Sequence, residues 1–344
     1  MEWNRNTDRD SSEKETLLLA EAMPKIDLHC HLDGSIEPFL IREKMEKLGM
    51  KMTAEEVMQR VGVDDSCRSL AEYLEKFDLP IRCIQDADFL NEAAYYLGRH
   101  AHAENVVYLE VRYAPQICLT RGMTLHDSIS SVIDGLERAH RQYGIGYGVI
   151  CCAMRHLPME QNRQMLEEGS RWLGKGVVAC DLAGDENAFP NAMFGEYFDC
   201  CREAGMPMTI HAGETGSREN VRYAVEHGAR RIGHGIAMSG DEELMRLCAD
   251  QKIGVEMCPT SNFQTKACTL WEEYPLKEFM AHHIPVSVNT DNRTCSSTDS
   301  TREFKKCVEH LKLNKEDLKQ IYLNSVEMSF ASEEQKFMLR HSWV

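Results

Sequence analysis

The sequence predicts an α/β fold, a (β/α)8 TIM barrel, and three observations lead there. Eight short apolar runs rich in Val and Ile recur along the chain, segments with helical spacing separate them, and unusual polar residues cluster where several of the runs end. The runs lie at 25–29, 106–111, 147–151, 177–181, 208–211, 231–234, 253–257 and 286–289. Continuous apolar runs, in place of alternation, belong to strands buried on both faces of a parallel sheet. Between them, 128–143, 160–173, 193–204 and 241–250 carry helical spacing. The exception is 34–104, between the first two strands, where several helical patterns stand in place of one. It is expected to form a helical insertion over the barrel mouth. The tail from 314 to 344 reads as further helix. No linker or low-complexity segment divides the chain, so 1–344 is expected to be one domain.

At 344 residues the chain is longer than most single cores, yet barrels of alternating strands and helices routinely reach this length as one domain. Hydrophobic residues make up 43% and charged ones 27%, enough apolar material for a large core and too much for disorder. The 55 acidic against 39 basic side chains leave a net charge of -16, which repels nucleic-acid phosphates and anionic membrane surfaces. Neither nucleic acid nor a membrane is therefore expected as a partner. The first twenty residues are charged and polar apart from Leu17, Leu18 and Leu19, too short a run for the core of an export signal. No stretch is long enough to span a bilayer. Fourteen cysteines in a chain this large, with no export signal, point to reduced thiols in the cytoplasm. No two of them have Cys-x-x-Cys spacing, the pair that holds zinc in ribbons, so a metal would have to be held by His and carboxylate.

His29-Cys30-His31 closes the first strand, where alternation sends residues two apart to the same face, so both imidazoles can point into the barrel mouth. Alone, such a pair is weak evidence for a metal. The chain carries its own control: His100-Ala101-His102 has the same spacing within the helical stretch 91–103, where residues two apart point about 200° apart. That pair, like the neighbouring His282-His283, reads as solvated. The fifth strand ends in His211-Ala212-Gly213-Glu214, the sixth in Gly233-His234-Gly235, and the eighth in Asn289-Thr290-Asp291-Asn292. A core histidine satisfied by a carbonyl would explain any one of these. Four strand ends bearing them together, on the face where barrel enzymes build their sites, point to a built site.

Residues 23–37, Glu110-Val111-Arg112-Tyr113, Asp181-Leu182-Ala183-Gly184-Asp185-Glu186, 211–214, Gly233-His234-Gly235 and Asn289-Thr290-Asp291 resemble, in the same order, the motifs of the adenosine deaminases of the amidohydrolase superfamily. The resemblance runs from about residue 23 to the C-terminal helices and leaves the first twenty-two residues outside it. It implies one zinc ion per chain, held by His29, His31, His211 and Asp291 with a water in the remaining position. Three nitrogens and one carboxylate oxygen with an open position suit a catalytic zinc. Relatives with two metals bridge them with a modified lysine after the fourth strand; this chain has Asp181-Leu182-Ala183-Gly184 there, so a single metal is expected. The implied reaction is hydrolysis of the 6-amino group of adenosine and 2′-deoxyadenosine, giving inosine and 2′-deoxyinosine plus ammonia. Attack at C6 breaks ring aromaticity and leaves negative charge on N1, so the chemistry asks for an activated water and an acid. By resemblance His234 takes the water's proton, Asp291 assists from the metal side, and Glu214 protonates N1. For that Glu214 must carry its proton when substrate is bound.

The resemblance also implies nucleoside contacts. Asp33 takes the ribose 5′-hydroxyl, His31 lies among the substrate contacts, the backbone N–H of Gly184 reaches N3, and Leu70, Tyr73, Leu74 and Phe77 cover the ribose as an apolar lid. The spacing of those four equally suits a plain core-facing helix stripe. Asn292 departs from the family, where many members have a second aspartate against N7. An amide N–H can donate to N7 directly, so Asn292 is expected to keep that contact. The expected partner is a small-molecule purine nucleoside. A 5′-phosphate would bring about two negative charges against Asp33, with only Arg68 and Arg293 near it in sequence and no phosphate role implied for either. Two other readings stay open. One is a sister deaminase of adenine, AMP, an N6-substituted AMP or another 6-aminopurine metabolite. The other is a non-catalytic binding protein on the same barrel, which should have lost a ligand or Glu214; none is missing.

Overall fold

The computed structural model describes residues 3–64 and 66–343. Parallel strands stand where the apolar runs lie: β1 (Lys25–His31), β2 (Val106–Tyr113), β3 (Gly146–Met154), β4 (Val177–Ala183), β5 (Thr209–Ala212), β6 (Arg231–His234), β7 (Gly254–Met257) and β8 (Val286–Val288). They pair in chain order as two four-stranded sheets, β1-β2-β3-β4 and β5-β6-β7-β8. The circle closes at two narrow seams, where Cys180 bridges to Met208 and Cys30 bridges to Asp291. Every residue of β5 to β8 is buried, which is why their sequences show no polar alternation. The helices outside are amphipathic. In Leu125–Tyr143 the residues Ile129, Val132, Ile133, Leu136 and Ala139 face the core, and Gly144, left-handed at φ 75°, stops the helix.

Beneath the mouth the barrel holds charges. Arg231 donates to Glu110 Oε2 and to Glu256 Oε1, both at 2.6 Å. Arg112 donates to Asp181 Oδ2 at 2.9 Å and to Glu256 Oε2 at 2.7 Å. All five side chains are buried. Charges this deep persist only when paired and hydrogen-bonded, and removing one partner costs about 3–5 kcal/mol. Arg231 also donates to Met328 O at 3.0 Å and Glu110 accepts from Phe330 N at 2.6 Å, which ties the C-terminal segment to the barrel floor.

The stretch between β1 and β2 is helical, as expected, ending in the long helix Ala87–Ala103. Leu70, Tyr73, Leu74 and Phe77, whose spacing suited a lid and a plain helix stripe equally, do not share one continuous α-helix. A short helix Leu70–Leu74 passes through a 3-10 turn at Glu75–Phe77 into a second helix, Asp78–Cys83. Pro80 has no N–H for the carbonyl four residues back and its ring crowds that carbonyl, so the ladder tightens just before it.

The polar segment ahead of β1, for which the sequence suggested no element, is a helix over Trp3–Ala22. Glu13, Glu15 and Glu21 on it pair with Lys312, Lys315 and Lys305 at 3.1, 2.7 and 2.7 Å. Exposed pairs of this kind are screened by solvent and contribute little to stability. The tail is helical over Lys315–Met328 and Glu333–Arg340, in line with expectation. Among the described residues no helix is long and apolar enough to cross a membrane.

Candidate active site

The C-terminal ends of β1, β5 and β8 bring His29, His31, His211 and Asp291 together, with one donor atom of each within 4.8 Å of the others. The seam between β8 and β1 fixes Asp291. Its N–H donates to His29 O at 2.8 Å and its carbonyl accepts from His31 N at 2.7 Å, so the backbone of both histidines holds it in register. Asp291 has φ 59° and His234 φ 66°. Left-handed backbone at a non-glycine residue costs about 1–3 kcal/mol and persists where the surroundings impose it. His29 Nε2 and His31 Nε2 lie 3.3 and 3.4 Å from Asp291 Oδ1, and His31 Nε2 lies 3.2 Å from His211 Nε2. His29 Nε2 is buried with no aligned hydrogen-bond partner. Imidazole nitrogens and a carboxylate oxygen converging this closely make a donor set for a cation.

A carboxylate stands behind two of these imidazoles. His29 Nδ1 is 2.8 Å from Glu256 Oε2. His211 Nδ1 is also 2.8 Å from Asp181 Oδ2, at ion-pair distance although not aligned as a hydrogen bond. Such partners set the tautomer and aim the other nitrogen. One guanidinium, that of Arg112, touches both carboxylates. Burial alone would raise the Glu256 carboxyl, but Arg112 and Arg231 outweigh it and hold it well below the usual range. Burial of Asp181 is likewise outweighed, by His211 and Arg112, and its carboxyl is lowered. Burial lowers His31, His211 and His234, which keeps a lone pair free on each.

His234, at the end of β6, places Nε2 3.6 Å from Glu214 Oε2. Its Nδ1 lies 3.0 Å from Asn262 Nδ2, and the Tyr274 hydroxyl donates to Asn262 Oδ1 at 3.0 Å. Burial pushes the Glu214 carboxyl well up, and the negative charges of Asp291 and Glu186 add to the rise. A carboxyl raised in this way gives up its proton less readily than an exposed one.

Above this floor lies a cavity of about 260 Å³, walled on one side by Leu70, Tyr73 and Phe77. Of the site residues singled out from sequence, Asp33, Gly184, Asn292, His31, His211, His234, Glu214 and Asp291 also line it, whereas His29 is wholly buried behind. Tyr73 is pinned by a 2.6 Å hydroxyl contact with Ser296. Gly184 has φ 105°, yet a Cβ there would meet nothing closer than 3.6 Å, so conformation rather than space calls for glycine. Gly34 is the reverse: a Cβ would overlap the Asn292 amide, whose Oδ1 is buried without a partner. Burial pushes the Asp33 carboxyl up to about 6. Among the described residues no Lys or Arg lines the cavity. Arg293 turns away to Glu104 at 2.7 Å and Asp27 at 3.3 Å, and Arg68 pairs with Glu72 at 2.5 Å.

The other histidine pairs stay outside. His102 stacks on Tyr143 with 5.2 Å between ring centroids, and His282 lies 3.8 Å from Glu242. His100 is less free than expected, because it pairs with Glu37. The residues missed from sequence are the carboxylates and guanidinium behind the imidazoles: Glu256, Asp181 and Arg112. Their signal was present as a charge inside a buried apolar run, which is costly without a partner. Its partner could not be read from the run.

The family profile described as Adenosine deaminase matches residues 24–342. An adenosine deaminase of Clostridium perfringens is 42% identical over 324 residues, covering 93% of this chain and 98% of its own. Among solved structures, the N6-methyl-AMP deaminase of Arabidopsis thaliana superimposes with a TM-score of 0.82 at 25% identity, covering 94% of this chain and 97% of its own. The adenine deaminase of Arthrobacter aurescens reaches a TM-score of 0.85 at 23% identity, covering 93% and 98%, a likeness of fold.

Proposed function

The chain belongs to the adenosine deaminase family, and from that premise we propose that it removes the 6-amino group of adenosine and 2′-deoxyadenosine by hydrolysis, releasing ammonia. The observation that carries the reading is one juxtaposition: the donor atoms of His29, His31, His211 and Asp291 converge beside a buried Glu214 whose carboxyl is raised. Those four residues fit zinc by donor type, and zinc held there would supply the Lewis acidity that makes water a nucleophile near neutral pH.

The remaining work falls to the chain's own groups. His234 takes the proton of the attacking water and orients it, assisted by Asp291. Glu214 gives its proton to N1 as negative charge develops there. Asn292 donates to N7 and the Gly184 N–H reaches N3, which together set the purine in the plane of attack. Asp33 accepts from the ribose 5′-hydroxyl beside His31, and Leu70, Tyr73 and Phe77 cover the sugar and exclude water. A nucleoside is favoured over a nucleotide because among the described residues no Lys or Arg lines the cavity, whereas the carboxyl of Asp33, read as the 5′-hydroxyl partner, does. The fourteen free thiols, thirteen of them buried or nearly so, support a reducing compartment and hence the cytoplasm. We read the barrel, its insertion and both flanking helical segments as one domain.

The test is kcat/KM for adenosine, AMP, adenine and cytidine under one set of conditions. Adenosine should lead, with AMP and adenine lower by roughly 30-fold to 1,000-fold. If AMP or adenine exceeds adenosine, the nucleoside reading gives way to that of a sister deaminase.

A further inference from the structure

Glu214 rides on the loop that leaves β5, and its place there depends on another carboxylate. Glu186, on the loop after β4, is 3% exposed. Its Oε2 accepts from Gly213 N and from Asn220 Nδ2, both at 2.9 Å. Its Oε1 accepts from Thr215 N at 2.7 Å and from the Thr215 hydroxyl at 3.0 Å. The two backbone N–H groups belong to the residues on either side of Glu214, so the peptide carrying the acid is held at both ends. Four donors fill the acceptor sites of one carboxylate, and all four are neutral. The nearby guanidinium of Arg155 is spent elsewhere, on Phe189 O and His211 O, both at 2.7 Å. Among the described residues, Glu186 thus meets the acid's loop through neutral donors with no cation bonded to it.

We propose that Glu186 is a positioning residue for the deamination: its carboxylate fixes the loop that aims Glu214 by holding the N–H groups on either side of it. This rests on reading Glu214 as the proton donor. The groups facing Glu214 come from five elements. Asp291 after β8 and Glu186 after β4 are negative, His234 ends β6, and Thr265 and Arg155 follow β7 and β3. Burial is the largest influence raising Glu214, Asp291 and Glu186 add to it, and Thr265 and Arg155 oppose. Removing the Glu186 charge therefore lowers the Glu214 pKa, and activity that needs protonated Glu214 is lost at lower pH.

The experiment is kcat and KM across pH for zinc-loaded Glu186→Gln, Glu186→Asp and Glu214→Gln, with bound zinc measured in each. Glu186→Gln loses the charge and presents a donor to the loop. We expect kcat down about 10-fold to 100-fold, KM within about threefold, zinc content unchanged, and the alkaline limb of kcat/KM moved to lower pH by about half a unit to one unit. Glu186→Asp keeps the charge but is one methylene short, so kcat should fall at every pH with the limb in place. A merely structural role would leave the limb where it is in both. The proposal is overturned by a Glu186→Gln enzyme with wild-type limb and kcat, or by losses that track missing zinc. Should Glu186→Gln not fold, Glu186→Asp decides, since normal kcat with the shorter side chain removes the clamp. Retained kcat in zinc-loaded Glu214→Gln would instead refute the proton-donor reading, whereas an inactive Glu214→Gln beside a normal Glu186→Gln removes this inference alone.

Discussion

His29 and His31 leave β1 toward a shared point, while His100 and His102, with the same spacing, ride the helix Ala87–Ala103 and find separate partners. A strand repeats every two residues and brings such a pair together; a helix turns them apart. Spacing alone therefore says little. The second difference lies behind the rings. Glu256 is wholly buried and stands 2.8 Å from His29 Nδ1, whereas Glu37, beside His100, keeps about a quarter of its side chain in solvent. A buried carboxylate holds a ring in one orientation, and a solvated one competes with water for it.

The largest expected contrast is between the pairs themselves. His29→Ala or His31→Ala should leave a folded barrel with little zinc and kcat lower by at least about 10⁴-fold, while His100→Ala and His102→Ala keep both. Metal analysis beside steady-state assays checks this, and full zinc with normal turnover in His29→Ala would break the comparison.

Next in size is Glu214→Gln, which separates the acid from the cation-binding set. It should retain zinc while kcat falls by about 10² to 10⁴. In the wild type, kcat/KM should decline as pH rises through the raised Glu214 pKa, because only the protonated carboxyl donates. A flat alkaline profile would place the acid elsewhere.

Smaller again is the effect of the carboxylates behind the rings. Asp181→Asn keeps its shape but loses the charge that faces His211 Nδ1, and zinc affinity, read by competition with a chelator, should drop about 10-fold to 100-fold. Glu37→Gln, the same change behind His100, should leave affinity unaltered. Equal effects from the two would show that the carboxylate behind the ring has no orienting role.

Much of the fold was legible in the residue order. Buried parallel strands write themselves as unbroken apolar runs, and the barrel repeat followed from eight of them. The strand-end residues His211, Glu214, His234 and Asp291 stood out because polar groups interrupt those runs at one end. The lid was less legible, since its apolar spacing suited a lid and a core-facing helix stripe equally, and the local path is a short helix, a 3-10 turn and a second helix containing Pro80. The helix Trp3–Ala22 was not legible at all: its polar faces pair with Lys305, Lys312 and Lys315 from the far end of the chain.

What the sequence by itself determined is what local geometry controls. Alternation sends His29 and His31 to one face, proline stops a hydrogen-bond ladder, and a net charge of -16 repels polyanions. Only the tertiary structure decided who stands behind whom. Glu256 lies 227 positions from the His29 it orients, and Asp291 meets His29 and His31 because β8 closes against β1. Glu186 clamps Gly213 and Thr215 from a neighbouring strand's loop, 27 and 29 positions away. Hydrogen bonds and ion pairs act over a few ångströms, so their partners are set by the closure of the barrel and not by order along the chain.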